Sequence, residues 1–181
     1  MFINPKTAIE KGWITGYITD THVQPNAIDF TLDRVFRINS TSSCAITEFG
    51  KRMHPQQEMS VVPISRLMYD IPNVPDDVYG WTLDRGSWDC MSDFYVQVPP
   101  GVAAYLIVRS TFNRNGLFIT SGLYDSGFKG HIGFVLHNQL GDTTIQQGTR
   151  VGQIIFVSSE NAGVYAGGWN HEQGTHHSEK V

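Results

Sequence analysis

Arg109 and Ser110 stand between an apolar run, AAYLIV, and a segment, TFNRNG, that predicts a short helix. A hydroxyl, the first amides of a helix and a guanidinium together can bind an anion such as a phosphate. Arg114 follows Ser110 by four residues, so on a helix it returns to nearly the same side. A serine that caps the helix, flanked by surface arginines, explains the same spacing equally well. The residues thus indicate either phosphate binding or ordinary helix capping.

Asp125 lies in a glycine-rich stretch, SGLYDSGFKG, between Gly122 and Gly127. Glycines at such positions permit a tight hairpin whose backbone approaches a flat ligand closely. A carboxylate on this turn could orient a water as a general base, bind a metal, or simply stabilise the turn. For an isolated aspartate the turn residue is the default interpretation.

Gln153 begins an apolar strand pattern in GTRVGQIIF, where its amide could donate to a phosphate or close the turn. Asp29 alternates with Ile28, Phe30 and Leu32, which is the two-residue period of a half-buried strand. The alternation places Asp29 on the face opposite the apolar side chains. From this pattern alone, a solvent-exposed strand carboxylate is the favoured interpretation of Asp29.

Residues 161–181 are rich in glycine and histidine and contain few apolar anchors, which predicts a flexible arm. Trp169 offers a ring for stacking, and Gln173 offers donors next to a glycine. The adjacent His176 and His177 have no further ligand at metal-binding spacing, so a metal site there is disfavoured.

The elements that must position these residues are mostly strands. Asn4 and Pro5 predict the start of a short N-terminal helix, with Asn as cap and Pro in the first position. Residues 39–60 are polar and predict a loop or irregular hairpin. Beyond Ser60, short strand-like runs alternate with Gly and Pro turns, which predicts an all-β sandwich, jelly roll or barrel. The sequence contains no internal repeat or linker, so we expect a single domain over residues 1–181.

The composition narrows the possible partners of this chain. A length of 181 residues with 40% hydrophobic residues fits one globular domain. The net charge of −4 gives no general reason to bind nucleic acid or an anionic membrane, so an anionic ligand needs a local cationic cluster. Two cysteines, no signal-like start and no run of transmembrane length lead us to expect a cytoplasmic protein with reduced thiols.

The order of the central motifs resembles that of one known family. Fourteen residues separate an Arg-Ser pair from DSGFKGHIGFVLHN, which is followed by QQGTRVGQIIF, while PNAIDFTL precedes them. This order is similar to the dUTPase/dCTP deaminase superfamily over residues 1–40 and 95–178; residues 41–94 are not placed by it. The resemblance implies a mainly β, distorted jelly-roll or barrel fold with a short N-terminal helix and a short helix after Arg109 and Ser110. It also implies a homotrimer with active sites where subunits meet, and a magnesium-bound deoxynucleoside triphosphate as substrate.

The resemblance also implies roles for single residues in phosphate chemistry. Arg109 and Ser110 fall on the phosphate-binding motif, and Gln153 falls on a phosphate-contacting glutamine. Asp125 falls on the carboxylate that positions the attacking water in the diphosphatases. Arg114 would help to stabilise the charge that develops in the reaction.

Other positions would bind the metal or the nucleoside. Asp29 falls on the first-motif aspartate that orders the Mg²⁺ site, which it would do indirectly, through water. Phe128 sits where an aromatic ring packs against the deoxyribose and discriminates against a 2′-hydroxyl. Gly122 in the turn and Gln173 in the tail complete the expected substrate-binding residues.

One position separates the two branches of the superfamily. Deaminases use a glutamate to move protons where this chain, counted from Asp125 without a gap, has Val135. Valine cannot move a proton, and loss of a general acid/base commonly costs a factor of about 10² to 10⁴. Deamination is therefore disfavoured, although the N-terminal helix, RSTFNRNGL and the tail GWNHEQGTHHS resemble the deaminase branch.

The leading hypothesis is a Mg²⁺-dependent diphosphatase that converts dUTP to dUMP and pyrophosphate. The alternatives are a dCTP deaminase, which could be bifunctional and form dUMP, and a catalytically silent nucleotide-binding regulator. The segment between Ser110 and Asp125 is shorter than expected for a hairpin that recognises uracil. The sequence therefore does not decide whether the substrate base is uracil, cytosine or a modified pyrimidine.

Overall fold

Strands make up most of the described chain, and two short helices interrupt them. The computed structural model describes residues 1–39, 41–64, 75, 78–160 and 163–171. In chain order the elements are α1 (Pro5–Glu10), β1 (Ile14–Thr15), β2 (Ile28–Thr31), β3 (Arg34–Ile38), β4 (Ala45–Thr47), β5 (Gly50–Arg52), β6 (Gln56–Glu58), β7 (Val62–Pro63), β8 (Tyr79–Leu83), β9 (Gly86–Gln97), β10 (Val102–Val108), α2 (Ser110–Arg114), β11 (Leu117–Thr120), β12 (Lys129–Asn138), β13 (Thr143–Gln146) and β14 (Arg150–Ser158).

The strands of the described residues form four antiparallel sheets. The six-stranded sheet has the order β11-β12-β9-β3-β6, with β1 also pairing with β9, and a three-stranded sheet has the order β10-β14-β2. A second three-stranded sheet, β13-β8-β7, and the β4–β5 hairpin complete the set. The mainly β fold predicted from the alternating runs is confirmed, and within the described residues the sheets do not close into a barrel.

The core lies between the six-stranded sheet and the β10-β14-β2 sheet. Phe30 of β2 contacts Phe134 of β12 across this space, with ring centroids 5.2 Å apart. Leu136, Ile154 and Phe94 are among the fully buried side chains around them. Burial of apolar surface from both sheets therefore holds together the strands that carry the motif residues.

Both helices begin where the sequence predicts them. The side chain of Asn4 accepts a hydrogen bond from the Lys6 amide at 3.0 Å, which confirms the predicted cap of α1. Helix α2 follows Arg109, as expected, but Arg109 is its cap residue and makes no side-chain capping bond. The interpretation of Ser110 as an N-capping serine is therefore wrong, because Ser110 is already the first helical residue.

The described part of residues 41–94, which the resemblance leaves unplaced, contributes the six strands β4 to β9 to the sheets. Strand β9 is central to the large sheet because it pairs with β12, β3 and β1. The hairpin predicted within 39–60 is confirmed as β4 and β5. Both cysteines are free, Cys44 exposed and Cys90 buried. None of the helices in the described part of the chain has the length and apolar character needed to cross a bilayer.

Candidate active site

Asp29 is the centre of a buried polar cluster. Its side chain is 1% exposed and accepts a hydrogen bond from Gln153 Nε2 at 2.8 Å. Arg109 Nε and Arg150 Nη1 each lie 3.3 Å from Asp29 Oδ2. The expectation of a solvent-exposed carboxylate is therefore wrong, because the face of β2 opposite the apolar core is covered by these three side chains.

The sheet β10-β14-β2 brings this cluster together. Gln153 pairs directly with Asp29 across β14 and β2, so their side chains project from the same face. Arg109 follows β10, and its amide donates to the Val151 carbonyl at 3.0 Å. A bulge between Arg150 and Gly152 shifts the alternation of side chains between the two faces of β14. As a result Arg150 reaches the same carboxylate as Gln153 although it stands three positions earlier.

Gly152 makes the close approach of β14 to the core possible. A Cβ atom at this position would lie 2.6 Å from Cε1 of Phe30 and 2.8 Å from the Ile107 carbonyl oxygen. Only a residue without a side chain leaves room for the Phe30 ring there. The glycine next to Gln153 therefore serves packing, and it fixes the strand that carries the cluster.

The cluster borders a pocket that suits an anion. The pocket has a volume of about 500 Å³ and is lined by Thr21, His22, Arg109 and residues 146–150. One carboxylate between two guanidiniums leaves one net positive charge, and Arg side chains bind phosphate oxygens well. Ser110 and Arg114, at the two ends of α2, are exposed. Among the predicted phosphate residues, the structure brings Arg109 and Gln153 together with Asp29.

A second, more apolar cavity lies against the large sheet. Phe128 is buried at its wall, with its ring centroid 4.9 Å from that of Tyr124 and 5.9 Å from that of Tyr165. The cavity has a volume of about 370 Å³, which lies within the range of small-molecule sites. Its lining consists of Asp89, residues 120–124, Phe128, His131, residues 133–135, Tyr165, Trp169 and His171. Three predicted or discussed positions, Gly122, Phe128 and Val135, therefore share one cavity.

Asp125 lies in the turn beside this cavity, and its side chain is exposed. Its carbonyl oxygen accepts a hydrogen bond from the Phe128 amide at 3.0 Å, which closes the turn. Ser126 is buried, and its hydroxyl donates to the Val102 carbonyl. The turn is thus fixed through its neighbours while the Asp125 carboxylate faces solvent.

Residues 163–171 pack over the cavity of their own chain. The Tyr165 amide donates to the Ser126 carbonyl at 2.6 Å, and the His171 amide donates to the Lys129 carbonyl at 3.0 Å. His171 Nε2 accepts from the His131 amide at 2.8 Å. Gly130 allows this contact, since a Cβ there would lie 2.7 Å from His171 Nδ1. Gln173, His176 and His177 lie outside the described residues.

Burial alters two titratable groups beside the cavity. Burial raises the pKa of the Tyr124 phenol well above its ordinary value, and the charge of Asp89 raises this pKa further. A hydrogen bond to the Gly133 carbonyl lowers it in part. Burial also raises the pKa of the Cys90 thiol, again with a contribution from Asp89. Both groups therefore stay protonated near neutral pH, and neither has the character of a reactive anion.

The two groups of residues lie at opposite ends of β10. Tyr124 is bridged to Ala104 near the start of that strand, whereas Arg109 follows its end. At about 3.3 Å per residue, the five steps from position 104 to 109 separate Asp125 from Arg109 by roughly 16 Å along the strand. Within one chain, the structure does not bring Asp125 to the Asp29–Arg109–Gln153 cluster.

The described His, Cys, Asp and Glu side chains do not form a metal-binding site of their own. No group of three or more His, Cys, Asp or Glu side chains in the described residues could hold a metal ion. Both oxygens of Asp29 already accept hydrogen bonds or ion pairs from Gln153 and the arginines. Magnesium usually keeps several waters and takes substrate phosphates as ligands. Asp29 therefore leaves no open oxygen for direct coordination, and a Mg²⁺ would have to be held mainly by the phosphates of a bound nucleotide.

Arg150 and Asp89 are among the residues of these sites that the sequence did not predict. Arg150 belongs to the GTRVGQ motif, and its position three residues before Gln153 could have suggested a role in the same site. The bulge that turns its side chain toward Asp29 cannot be predicted from the sequence. Asp89 lies in a segment without a recognisable motif, and only the pairing of β9 with β12 places it at the cavity.

Comparison with known proteins agrees with this architecture. The family model for dCTP deaminase-like proteins matches residues 6–159. A probable deoxyuridine 5′-triphosphate nucleotidohydrolase of Methanothermobacter thermautotrophicus is 30% identical over 148 residues, which is 81% of this chain and 87% of that protein. A protein of Bifidobacterium longum named dCTP deaminase, dUMP-forming, is 30% identical over 142 residues, 76% of this chain and 67% of that protein.

A solved structure shares the fold. The crystal structure of 2′-deoxycytidine 5′-triphosphate deaminase from Agrobacterium tumefaciens superposes with a TM-score of 0.61 over 87% of this chain, at 13% identity. The chain spans about half of that structure, 48% of its length. At this identity the likeness concerns the fold alone. The family model, by contrast, covers most of the sequence, and the chain belongs to the dCTP deaminase-like family.

Proposed function

We propose that this protein is a pyrimidine deoxynucleoside triphosphate diphosphatase that converts dUTP to dUMP and pyrophosphate. The observation that carries the proposal is the cluster of Arg109, Arg150 and Gln153 around the buried Asp29, which holds one net positive charge beside a pocket. A second, apolar cavity of base-binding size supports a ligand with one polyanionic and one aromatic end. The names of the similar archaeal proteins support dUTP as the substrate.

In this proposal Asp125 orients and deprotonates a water that attacks the α-phosphorus. The bond from the α-phosphorus to the bridging oxygen of the β-phosphate breaks, and pyrophosphate leaves in line with the attack. Arg109, Ser110, Arg114 and Gln153 stabilise the charge on the phosphate oxygens. Mg²⁺, bound with the triphosphate, supplies further charge neutralisation.

The distance along β10 supports a site shared between copies. Asp125 and Arg109 are separated by roughly 16 Å within one chain, so a single copy does not place both at one α-phosphate. Two copies in a closed ring can each supply one of them, and a homotrimer follows the pattern of the superfamily. We also propose a single domain with an arm from residue 161, whose described part, residues 163–171, covers the cavity, and a reducing, cytoplasmic location in keeping with the free thiols.

The shared site has a quantitative test. Asp125→Asn and Arg109→Ala variants, each inactive alone, are unfolded together in equal amounts and refolded. If each site takes one residue from each of two copies, one half times one half, or about a quarter, of the sites carry both native residues. Recovery near a quarter of the native pyrophosphate release is expected. No recovery from a mixture that refolds to the native assembly would contradict the shared site.

Asp125→Asn tests the chemistry itself. The amide keeps the shape of the side chain but cannot accept a proton from water, so turnover of dUTP should fall by about 10² to 10⁴ while dUTP binding is kept. Asp142→Asn is the matched control, because Asp142 is an exposed loop aspartate that lines neither the cavity nor the anion pocket. Unchanged turnover in Asp125→Asn would contradict the assignment.

A dCTP deaminase is the second candidate, and the similar dUMP-forming deaminases support it. Val135, at the position of the deaminase glutamate, opposes it. Incubation with each deoxynucleotide and Mg²⁺, with pyrophosphate and ammonia assayed together, separates the candidates. Ammonia from dCTP would indicate the deaminase, while nucleotide binding without either product would indicate a silent regulatory protein.

A further inference from the structure

His22 is a buried histidine that lines the anion pocket beside the polar cluster around Asp29. It is 8% exposed, and its ring makes a T-shaped contact with the Phe94 ring, with centroids 5.5 Å apart. The His22 carbonyl accepts a hydrogen bond from the Asp29 amide at 2.8 Å. The adjacent Thr21 carbonyl accepts from Arg150 Nη1 at 2.6 Å. These contacts fix the loop that carries His22 against the cluster.

One ring nitrogen of His22 is used within its own loop. The Thr19 amide donates to Nδ1 at 3.1 Å, and the Thr19 hydroxyl lies 2.9 Å from the same atom. Because a backbone amide only donates, Nδ1 must be the unprotonated, accepting nitrogen. The neutral ring therefore carries its proton on Nε2, which makes no hydrogen bond within the part of the chain that the structure describes. The Nε2–H group is thus the donor that this side chain has left for the pocket.

The two arginines of the pocket also keep donors that the protein does not use. Arg109 contacts Asp29 through Nε and the Arg150 carbonyl through Nη1, at 3.3 Å each. Arg150 uses Nη1 for both Asp29 and the Thr21 carbonyl. To the described residues, Nη2 of neither guanidinium makes a hydrogen bond. One imidazole and two guanidiniums with spare N–H groups therefore border one pocket, and phosphate oxygens accept from donors of both kinds.

We propose that His22 is a phosphate-binding residue, which donates from Nε2–H to an oxygen of a di- or triphosphate in this pocket. The inference rests on the proposed function, because it takes the pocket to hold the phosphates of the substrate, and it adds a residue to that site. The guanidiniums attract the anion by their charge. The neutral ring supplies a hydrogen bond of fixed direction, so it orients the phosphates and takes no part in proton transfer.

Two variants separate this role from a role in folding alone. His22→Asn keeps an oxygen near the position of Nδ1, so the bond from the Thr19 amide is retained while the donor at Nε2 is lost. His22→Gln does the reverse, since its longer side chain can bring an amide N–H to the position of Nε2 but has no acceptor at the position of Nδ1. The two roles therefore predict opposite orders of affinity for these variants.

Titration calorimetry with inorganic pyrophosphate measures binding without turnover. His22→Asn should weaken pyrophosphate binding by about 10- to 100-fold, because it removes a hydrogen bond to a charged group. His22→Gln should bind pyrophosphate more tightly than His22→Asn, although urea denaturation should show it to be the less stable of the two. His54→Asn is the matched control, because His54 bonds to the Ser42 hydroxyl and does not line the pocket. Its affinity should equal the native one.

A spectroscopic measurement on the native protein does not depend on the folding of any variant. With isotopically labelled histidine, the Nε2–H resonance of His22 should shift, and its exchange with water should slow, when pyrophosphate is added. A resonance that does not change at saturating pyrophosphate would overturn the inference.

The remaining outcomes separate this inference from the proposed function. Weaker pyrophosphate binding by His22→Asn, in a protein that hydrolyses no deoxynucleoside triphosphate, would support His22 and contradict the diphosphatase. Pyrophosphate release from dUTP, with a native affinity for pyrophosphate in folded His22→Asn, would overturn the inference alone. Affinities that follow the stabilities of the two variants, or native protein that binds no pyrophosphate, would also overturn it.

Discussion

Asp29→Asn tests whether the polar cluster is a stabilising part of the fold. The substitution keeps the size of the side chain and removes its charge. The new amide oxygen can still accept from Gln153 Nε2, which lies 2.8 Å away in the native protein. The two ion pairs, each at 3.3 Å, are lost, and the new NH₂ group faces Arg109 or Arg150, which are also donors.

The size of the effect follows from the exposure of the partners. Removing one member of a fully buried pair costs about 3 to 5 kcal/mol, and an exposed pair contributes about 0 to 1 kcal/mol. Asp29 is 1% exposed, whereas the side chains of Arg109 and Arg150 are 31% and 35% exposed. The guanidiniums can therefore turn partly to water, and we expect a loss of about 2 kcal/mol, or about 4 to 8 °C in Tm for a chain of this size.

Urea denaturation of the native protein and of Asp29→Asn measures this loss. Glu58→Gln serves as the control, since it makes the same kind of change in the Arg34–Glu58 ion pair, which has a distance of 2.7 Å but a Glu58 side chain that is 48% exposed. The control should lose less than about 1 kcal/mol. A loss for Asp29→Asn no greater than that of Glu58→Gln would refute the view that the buried carboxylate organises the two arginines.

Two further substitutions test the surroundings of the sites. Tyr124→Phe removes a hydroxyl that donates to the Gly133 carbonyl at 2.8 Å and accepts from its amide at 3.0 Å, so urea denaturation should show a loss of about 1 to 3 kcal/mol. Asp33→Asn should raise stability at neutral pH, because burial and the charge of Asp93 raise the pKa of Asp33. The cost of ionising Asp33 in the native protein grows between its ordinary pKa and the raised pKa, and it is full above the raised pKa. The gain measured by thermal unfolding should thus shrink as the pH falls, and it should vanish below the ordinary value of 3.8; a gain that persists there would contradict this origin.

Local patterns were sufficient to predict the elements of this fold. Alternating runs and turn residues predict the strands, and the Asn4–Pro5 pair predicts the start of α1, because these signals act within a few residues. The resemblance to the dUTPase/dCTP deaminase superfamily also implied one site for Asp29, Arg109 and Gln153. The strand and helix predictions depend on short segments, whereas the shared site depends on the match of several separated motifs.

The burial of Asp29 could not be predicted in the same way. Alternation divides a strand into two faces, and an aspartate opposite an apolar face is normally solvated. What covers the second face depends on a strand more than 120 positions away, as the Gln153–Asp29 pairing shows. The role of Arg150 could not be predicted for a related reason. In a regular strand its side chain would lie on the face opposite that of Gln153, and only the bulge brings it to the same face.

The two sites together explain why a chain with a net charge of −4 can serve an anionic ligand. The positive charge is concentrated where β10, β14 and β2 meet, and Asp29 prevents the two guanidiniums from repelling one another there. The apolar cavity lies at the other end of β10, against a different sheet and near Asp125. A nucleotide needs its base in an apolar wall and its phosphates on guanidiniums. Because the two environments lie at opposite ends of one strand, the proposed association of copies would place both on one substrate without any movement within one chain.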